Sequence, residues 1–123
     1  MSASEMKLRS RVLDIPQNMV VLHVSGRINT SQMLPLEREL EKLSNGPTVK
    51  LILDVHEVDG IDSQGVGILI KAQQTITARG GKVVLMAAQD RILTVLKIAG
   101  LDQYFQFAKT EFQAIKLFEE NPQ

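Results

Sequence analysis

Three groups of residues carry types and spacings from which chemistry could be built. The first is acidic: Asp54, Glu57, Asp59 and Asp62 cluster in one short stretch, with His56 among them. A calcium loop needs oxygens at alternating positions and a distant bidentate Glu, and this spacing does not supply them. The second histidine, His23, is far away in sequence and sits in an apolar run, where a satisfied strand histidine is expected. No dedicated metal site is expected. The second group is Asp62-Ser63-Gln64-Gly65, with a serine where a helix begins. A nucleophile elbow needs Gly two residues before the serine and two after; Gly65 fits the second place, but Ile61 occupies the first. His56 is near in sequence, which does not bring it within reach as a base. The third group is Gly65-Val66-Gly67 at the start of the same helix. A dinucleotide fingerprint needs a third glycine where Ile70 stands, and its glycines belong in the turn directly after the strand. No Gly-Lys-Ser/Thr is present for a phosphate loop. A packing role is expected for Gly65 and Gly67 instead, letting the helix lie close on the sheet.

Ser63 itself keeps two readings. It can be a plain helix N-cap, accepting from an amide two or three residues on, worth ~1 kcal/mol. It can also be a phosphorylation site, since a helix N-terminus offers free N–H groups and a positive dipole to phosphate. Adjacent Asp62 would repel that phosphate.

The elements that must position these residues follow from periodicity. Met6–Leu13 alternates, with Met6, Leu8 and Val12 on one face and Lys7, Arg9 and Arg11 on the other, as a half-buried strand does. After the turn Asp14-Ile15-Pro16-Gln17-Asn18, Met19–Ser25 is a second strand, ended by Gly26, and the two form an antiparallel hairpin. Met33, Leu36, Leu40 and Leu43 have helical spacing, with Pro35 in the first turn and Asn45-Gly46-Pro47 as the stop. Thr48–Val55 reads as a central strand and His56–Asp62 as a polar loop. Ser63–Arg79 is a helix with Val66, Leu69, Ile70, Gln73 and Ile76 along one side, closed by Gly80-Gly81.

Lys82–Ala87 is a fourth strand. Asp90 caps a short helix with Ile92, Val95, Leu96 and Ala99 inward, ended by Gly100. Tyr104–Phe107 is a short edge strand, and Thr110 with Gln113 makes a capping box for a last helix using Phe112, Ile115 and Phe118. The order β-β-α-β-α-β-α-β-α makes this an α/β protein. It demands parallel pairing with right-handed crossovers, in a mixed sheet of four or five strands with one antiparallel edge and about four helices. Residues 1–123 suit a single domain, with 1–5 and 120–123 expected to fray.

Composition excludes several classes. Charge is balanced at 14 basic and 14 acidic residues with no basic cluster, so no nucleic-acid partner is expected. A base-stacking surface needs aromatics interleaved with basic residues; the aromatics here are few and late, at Tyr104, Phe105, Phe107, Phe112 and Phe118, and are expected to fill the core under the last helix. The absence of cysteine removes disulfides and thiol chemistry and fits a reducing cytoplasm. No run of apolar residues approaches the ~18 of a membrane span, so no direct membrane insertion is expected. The opening MSASEMKLRS has no signal core.

The segment Leu53-Asp54-Val55, then Ile61-Asp62-Ser63-Gln64-Gly65-Val66-Gly67, resembles the central signature of the STAS-domain anti-sigma factor antagonists of bacteria. Gly26-Arg27-Ile28-Asn29 is similar to that family's pattern after the second strand, and Ala99-Gly100-Leu101-Asp102-Gln103-Tyr104-Phe105 to its Gly-Leu-Asp-x-x-Phe ending. The resemblance covers nearly the whole chain. It implies a STAS fold and a phospho-switched binding module that is not an enzyme and needs no cofactor. Ser63 maps onto the phosphorylated serine. An anti-sigma factor with serine kinase activity would phosphorylate it and a phosphatase would reverse this. The unphosphorylated form would sequester the anti-sigma factor and release a sigma factor. The family's docking surface maps onto Asp59, Gly60, Asp62, Ser63, Gln64, Val66 and Lys71, with Asn29 and Thr30 from the loop after Gly26. Asp54, Gly65, Gly67 and Gly100 map onto structural positions. Gln64 stands where a second serine is usual and Asn29 where an Asp is usual, which bears on which kinase reads the site. The alternative within the same fold is a constitutive adaptor subunit on the cytoplasmic face of a lipid or anion transporter, with Ser63 only a cap.

Overall fold

The computed structural model describes residues 6–13, 19–30, 33–46 and 50–119. The expected turn Asp14-Ile15-Pro16-Gln17-Asn18, Pro47, Thr48 and Val49, and the ends at 1–5 and 120–123 lie outside the described residues. The order of elements is the expected one: β1 (Lys7–Leu13), β2 (Met19–Ile28), α1 (Leu34–Asn45), β3 (Lys50–Ile61), α2 (Ser63–Ala78), β4 (Lys82–Met86), α3 (Asp90–Ile98), β5 (Gln106–Ala108) and α4 (Glu111–Glu119).

The five strands form one sheet in the order β1-β2-β3-β4-β5. β1 pairs antiparallel with β2, from Lys7 opposite Ser25 to Leu13 opposite Met19, and the remaining pairs are parallel. Each parallel step needs a crossover, supplied in turn by α1, α2 and α3. The strand order never reverses, so right-handed crossovers place all three helices on one face. Their buried residues Leu36, Leu40, Leu69, Ile76, Ile92 and Leu96 meet Leu22, Leu51, Leu53, Val83 and Leu85 of the sheet there. Each fully buried leucine contributes roughly 1.5–3 kcal/mol. The opposite face is covered by α4, where Ala114 and Phe118 pack with Met19, Val21, Ile52, Val84 and Met86. Covering on both faces explains why β3 reads as a nearly continuous apolar run.

Several boundaries and faces differ from the sequence expectations. β2 does not stop at Gly26. That glycine takes φ +91° inside the strand, beside a shift of register, and the strand runs on to Ile28. His56–Ile61 is not a loop but the second half of β3, paired with the end of β2. His23 faces Asp54 while Ser25 faces Glu57, and Gly26 faces Val58 while Arg27 faces Gly60, so β3 carries an extra residue at each irregularity. Two bulges break the strict alternation, and that is why this polar stretch does not read as a strand. Asp90 is the first residue of α3, not its cap; Gln89 is the N-cap and no side chain caps that end. β5 lies at Gln106–Ala108, two residues beyond the expected start. Val12 and Phe112 are exposed, as is Ala99, where burial was expected. β1 is an edge strand covered only in part, and the Phe112 ring lies outside the core with Lys116 Nζ 5.5 Å from its centroid.

Candidate functional site

The site forms where β2 and β3 end and α2 begins. Asp62 is extended, at φ −105° and ψ −179°, and its carboxylate Oδ1 accepts from the Gly65 N–H at 3.0 Å. The N-cap is therefore Asp62, and Ser63 is the first helical residue. This corrects the plain-cap reading of Ser63. An aspartate in the same register takes the role, and its charge gains from the helix dipole. Asp62 Oδ2 accepts from the N–H and from the hydroxyl of Thr30, at 3.0 and 3.1 Å. The backbone adds a tie, Asp62 N–H to the Ile28 carbonyl at 3.1 Å. The N–H groups of Gly65 and Thr30 hold the Asp62 carboxyl below the usual carboxylate range, against slight desolvation. One ionised side chain thus joins the β2 end to the α2 start.

Gly65 makes this junction sterically possible. A Cβ there would stand 2.7 Å from Ile28 Cγ2, 2.7 Å from the Ile28 carbonyl oxygen and 2.9 Å from Ile61 Cγ1. That carbonyl is already engaged by Asp62 and cannot withdraw. Gly65→Ala is therefore expected to cost about 1–3 kcal/mol in stability despite the better helix propensity of alanine. Urea unfolding reads this directly; a midpoint at or above the wild-type value would show that the helix can lift off the sheet freely. Gly67 is different. It is exposed, and a Cβ there would meet nothing within 4 Å among the described residues, so among these two glycines the expected packing role falls to Gly65.

Further back along β2 and β3, both histidines of the chain converge on Asp54. His23 Nδ1 lies 2.6 Å from Asp54 Oδ2 and His56 Nδ1 lies 2.8 Å from Asp54 Oδ1. The His56 backbone N–H donates to the same Oδ1 at 3.2 Å. Asp54 thus accepts from a backbone group at the first β3 bulge. Arg11 donates from Nε to His23 Nε2 at 3.1 Å and pairs with Glu111 of α4. Gln89 donates to the His56 carbonyl at 2.9 Å. Burial works to raise the Asp54 pKa. The hydrogen bonds from the His56 ring and amide and from the His23 ring outweigh it and hold the carboxyl below its ordinary value. The bond to Asp54 raises the His56 pKa, against its own burial. The convergence was missed from sequence, and the pairing of β2 with β3 is the signal that could have found it. The two histidines point Nδ1 at a carboxylate, and among the described residues no group of three such side chains is placed to hold a metal ion.

Of the docking residues implied by the resemblance, the structure brings Thr30, Asp62, Ser63 and Gln64 together at one end of the sheet. Ser63, Gln64, Thr30 and Lys71 are exposed, while Asn29, Asp59, Gly60 and Asp62 are half-buried. Asp59 and Gly60 are steadied by Arg91, which donates to the Asp59 carbonyl at 3.1 Å, and by the Arg27 side chain over Gly60. Val66 is buried at 8% exposure in the main core, so it does not belong to an exposed flank. Gly100, at φ +76°, ends α3 in a conformation that favours glycine. Gly65 supports the site from within, while Asp54 belongs to the cluster with His23 and His56.

A fold and junction of this kind define a class. The STAS domain model matches residues 10–114, and the chain belongs to the STAS domain family. It is 26% identical over 90 residues to the anti-sigma-B factor antagonist of Listeria monocytogenes, covering 73% of this chain and 79% of that protein. The fold superposes on an anti-sigma factor antagonist from Mycobacterium paratuberculosis with a TM-score of 0.82 at 21% identity, covering 95% and 97% of the two chains. It also superposes on the murine anion transporter Slc26a9, with a TM-score of 0.74 at 13% identity, covering 98% of this chain and 23% of the transporter. Among the described residues no helix is long and apolar enough to cross a membrane.

Proposed function

We propose that this chain is an anti-sigma factor antagonist that works as a phosphorylation-controlled binding module in the bacterial cytoplasm. Unphosphorylated, it sequesters an anti-sigma factor and frees a sigma factor. The anti-sigma factor phosphorylates Ser63 as a serine kinase, and a phosphatase resets it. The chain itself turns nothing over. One observation carries this reading: Ser63 is exposed at the first position of α2, and the capping that would occupy its hydroxyl is done by Asp62. The Listeria relative supports the same partner class. The docking surface is Asn29, Thr30, Asp59, Gly60, Asp62, Ser63, Gln64 and Lys71.

The transporter likeness supports a second reading, a constitutive adaptor on a membrane protein, in which Ser63 stays unmodified. Intact-mass analysis of protein purified from its native host separates the two. The proposal expects a fraction heavier by one phosphate, located on Ser63 by fragmentation. A single unmodified mass under every growth condition favours the adaptor.

A further inference from the structure

Gly67 stands out because the described residues give no reason for it. It lies inside α2, which runs Ser63–Ala78, and among the described residues a Cβ would meet nothing within 4 Å. It is not among the glycines with positive φ, which are Gly26, Gly80 and Gly100. An exposed glycine in a helix interior costs up to ~1 kcal/mol relative to alanine. Gly65, two residues earlier, has its reason in Ile28 and Ile61; Gly67 has none among the described residues.

Its position supplies one. Gly67 follows Ser63 by four residues, and Lys71 follows Gly67 by four, so the three share one face of α2. All three are exposed. The strip is smooth at its centre, where the missing side chain uncovers helix backbone. A kinase that phosphorylates Ser63 must bring its phosphate donor to within about 3–3.5 Å of the hydroxyl. Its surface then lies against the first turn of α2, and the next turn on that face is Gly67.

We propose that Gly67 is a close-approach point for the anti-sigma factor, whose main chain packs against bare α2 backbone between Ser63 and Lys71. This rests on the function proposed above and names a contact within that surface that it had not included. The occupant is the anti-sigma factor, because the strip continues directly from the atom it must phosphorylate. A side chain at position 67 would hold the two surfaces apart.

The test is a titration of the purified anti-sigma factor of the native host against wild type, Gly67→Ala, Gly67→Gln, Thr77→Ala and Ser63→Asp, with a thermal melt of each variant alone. Thr77 is exposed on the same helix, about 15 Å further along. Gly67→Ala is expected to melt higher than wild type yet bind at least about tenfold more weakly, and Gly67→Gln more weakly still. Thr77→Ala should bind as wild type does. If both Gly67 variants bind within about twofold of wild type while Ser63→Asp does not bind, the close-approach inference is wrong and the switch stands. A lower melting temperature for Gly67→Ala also overturns it, since the fold would then need the glycine. If wild type fails to bind that anti-sigma factor, the functional reading falls and the inference with it.

Discussion

Ser63→Asp is expected to weaken binding of the anti-sigma factor by ~100-fold, about 2.7 kcal/mol, while leaving the fold intact. The geometry argues both halves. The negative group enters at the first position of a helix, where the dipole favours it by roughly 0.3–1 kcal/mol, so folding is not penalised. Asp62 already holds the Gly65 N–H and both polar groups of Thr30. Few amides are left to draw a second charge inward. A carboxylate or phosphate on residue 63 therefore stays at the surface beside ionised Asp62, where a docking partner must desolvate both. Phosphate, at roughly −1.5 to −2, should act more strongly than aspartate.

Ser63→Ala is expected to bind constitutively, resist the kinase and melt with wild type, because it removes no cap. Asp62→Ala is the internal contrast: it loses the cap and should melt below wild type. Calorimetric titration and thermal melts check all three variants. Wild-type affinity for Ser63→Asp, together with continued kinase labelling of Ser63→Ala, would falsify the switch.

Asp54→Ala should destabilise the protein by about 1–3 kcal/mol and flatten its pH dependence. Asp54 is 4% exposed and its carboxylate holds two imidazoles and a backbone N–H, all of which lose their acceptor. The sign of the pH effect follows from each group. The His56 pKa is raised, so its contribution is complete below the ordinary 6.5 and is lost as pH rises through the folded-state value. The Asp54 pKa is lowered, so its contribution is complete above the ordinary 3.8 and is lost as pH falls through its folded-state value. Together they give the wild type greatest support between these ordinary values. His56 is exposed by more than half, so solvent screening keeps its part below about 1 kcal/mol. Melts at about pH 3, 5.5 and 8.5 test this. Asp54→Ala should lose both flanks, and His56→Gln the alkaline one together with part of the acid one. Equal melting of wild type and Asp54→Ala at the middle pH would refute a supporting role for Asp54.

The helices α1 and α2 and strand β4 were legible because their apolar spacing is regular and glycine or proline marks the ends. The parallel pairing and the antiparallel edge followed from the alternation of elements, whereas the strand order β1-β2-β3-β4-β5 came only from the structure. The Asp-Ser-x-Gly segment was legible as the place to look, since a motif of that type before an amphipathic helix is local. The second half of β3 was not legible. Its two bulges interrupt the period of two, and only its pairing with the end of β2 makes it a strand.

The identity of the cap was also hidden. Asp62 and Ser63 are both good caps, and sequence cannot say which takes the extended conformation. The bond from Asp62 N–H to the Ile28 carbonyl, between segments far apart in the chain, decides it and leaves the serine exposed. The meeting of His23, Asp54 and His56 likewise needs two parallel strands in register. The amino-acid sequence by itself determined the elements, their order and the motif, because these depend on local spacing. Only the tertiary structure decided which hydroxyl is exposed, which glycine is sterically required and which carboxylate binds both histidines, because each depends on contacts between distant segments.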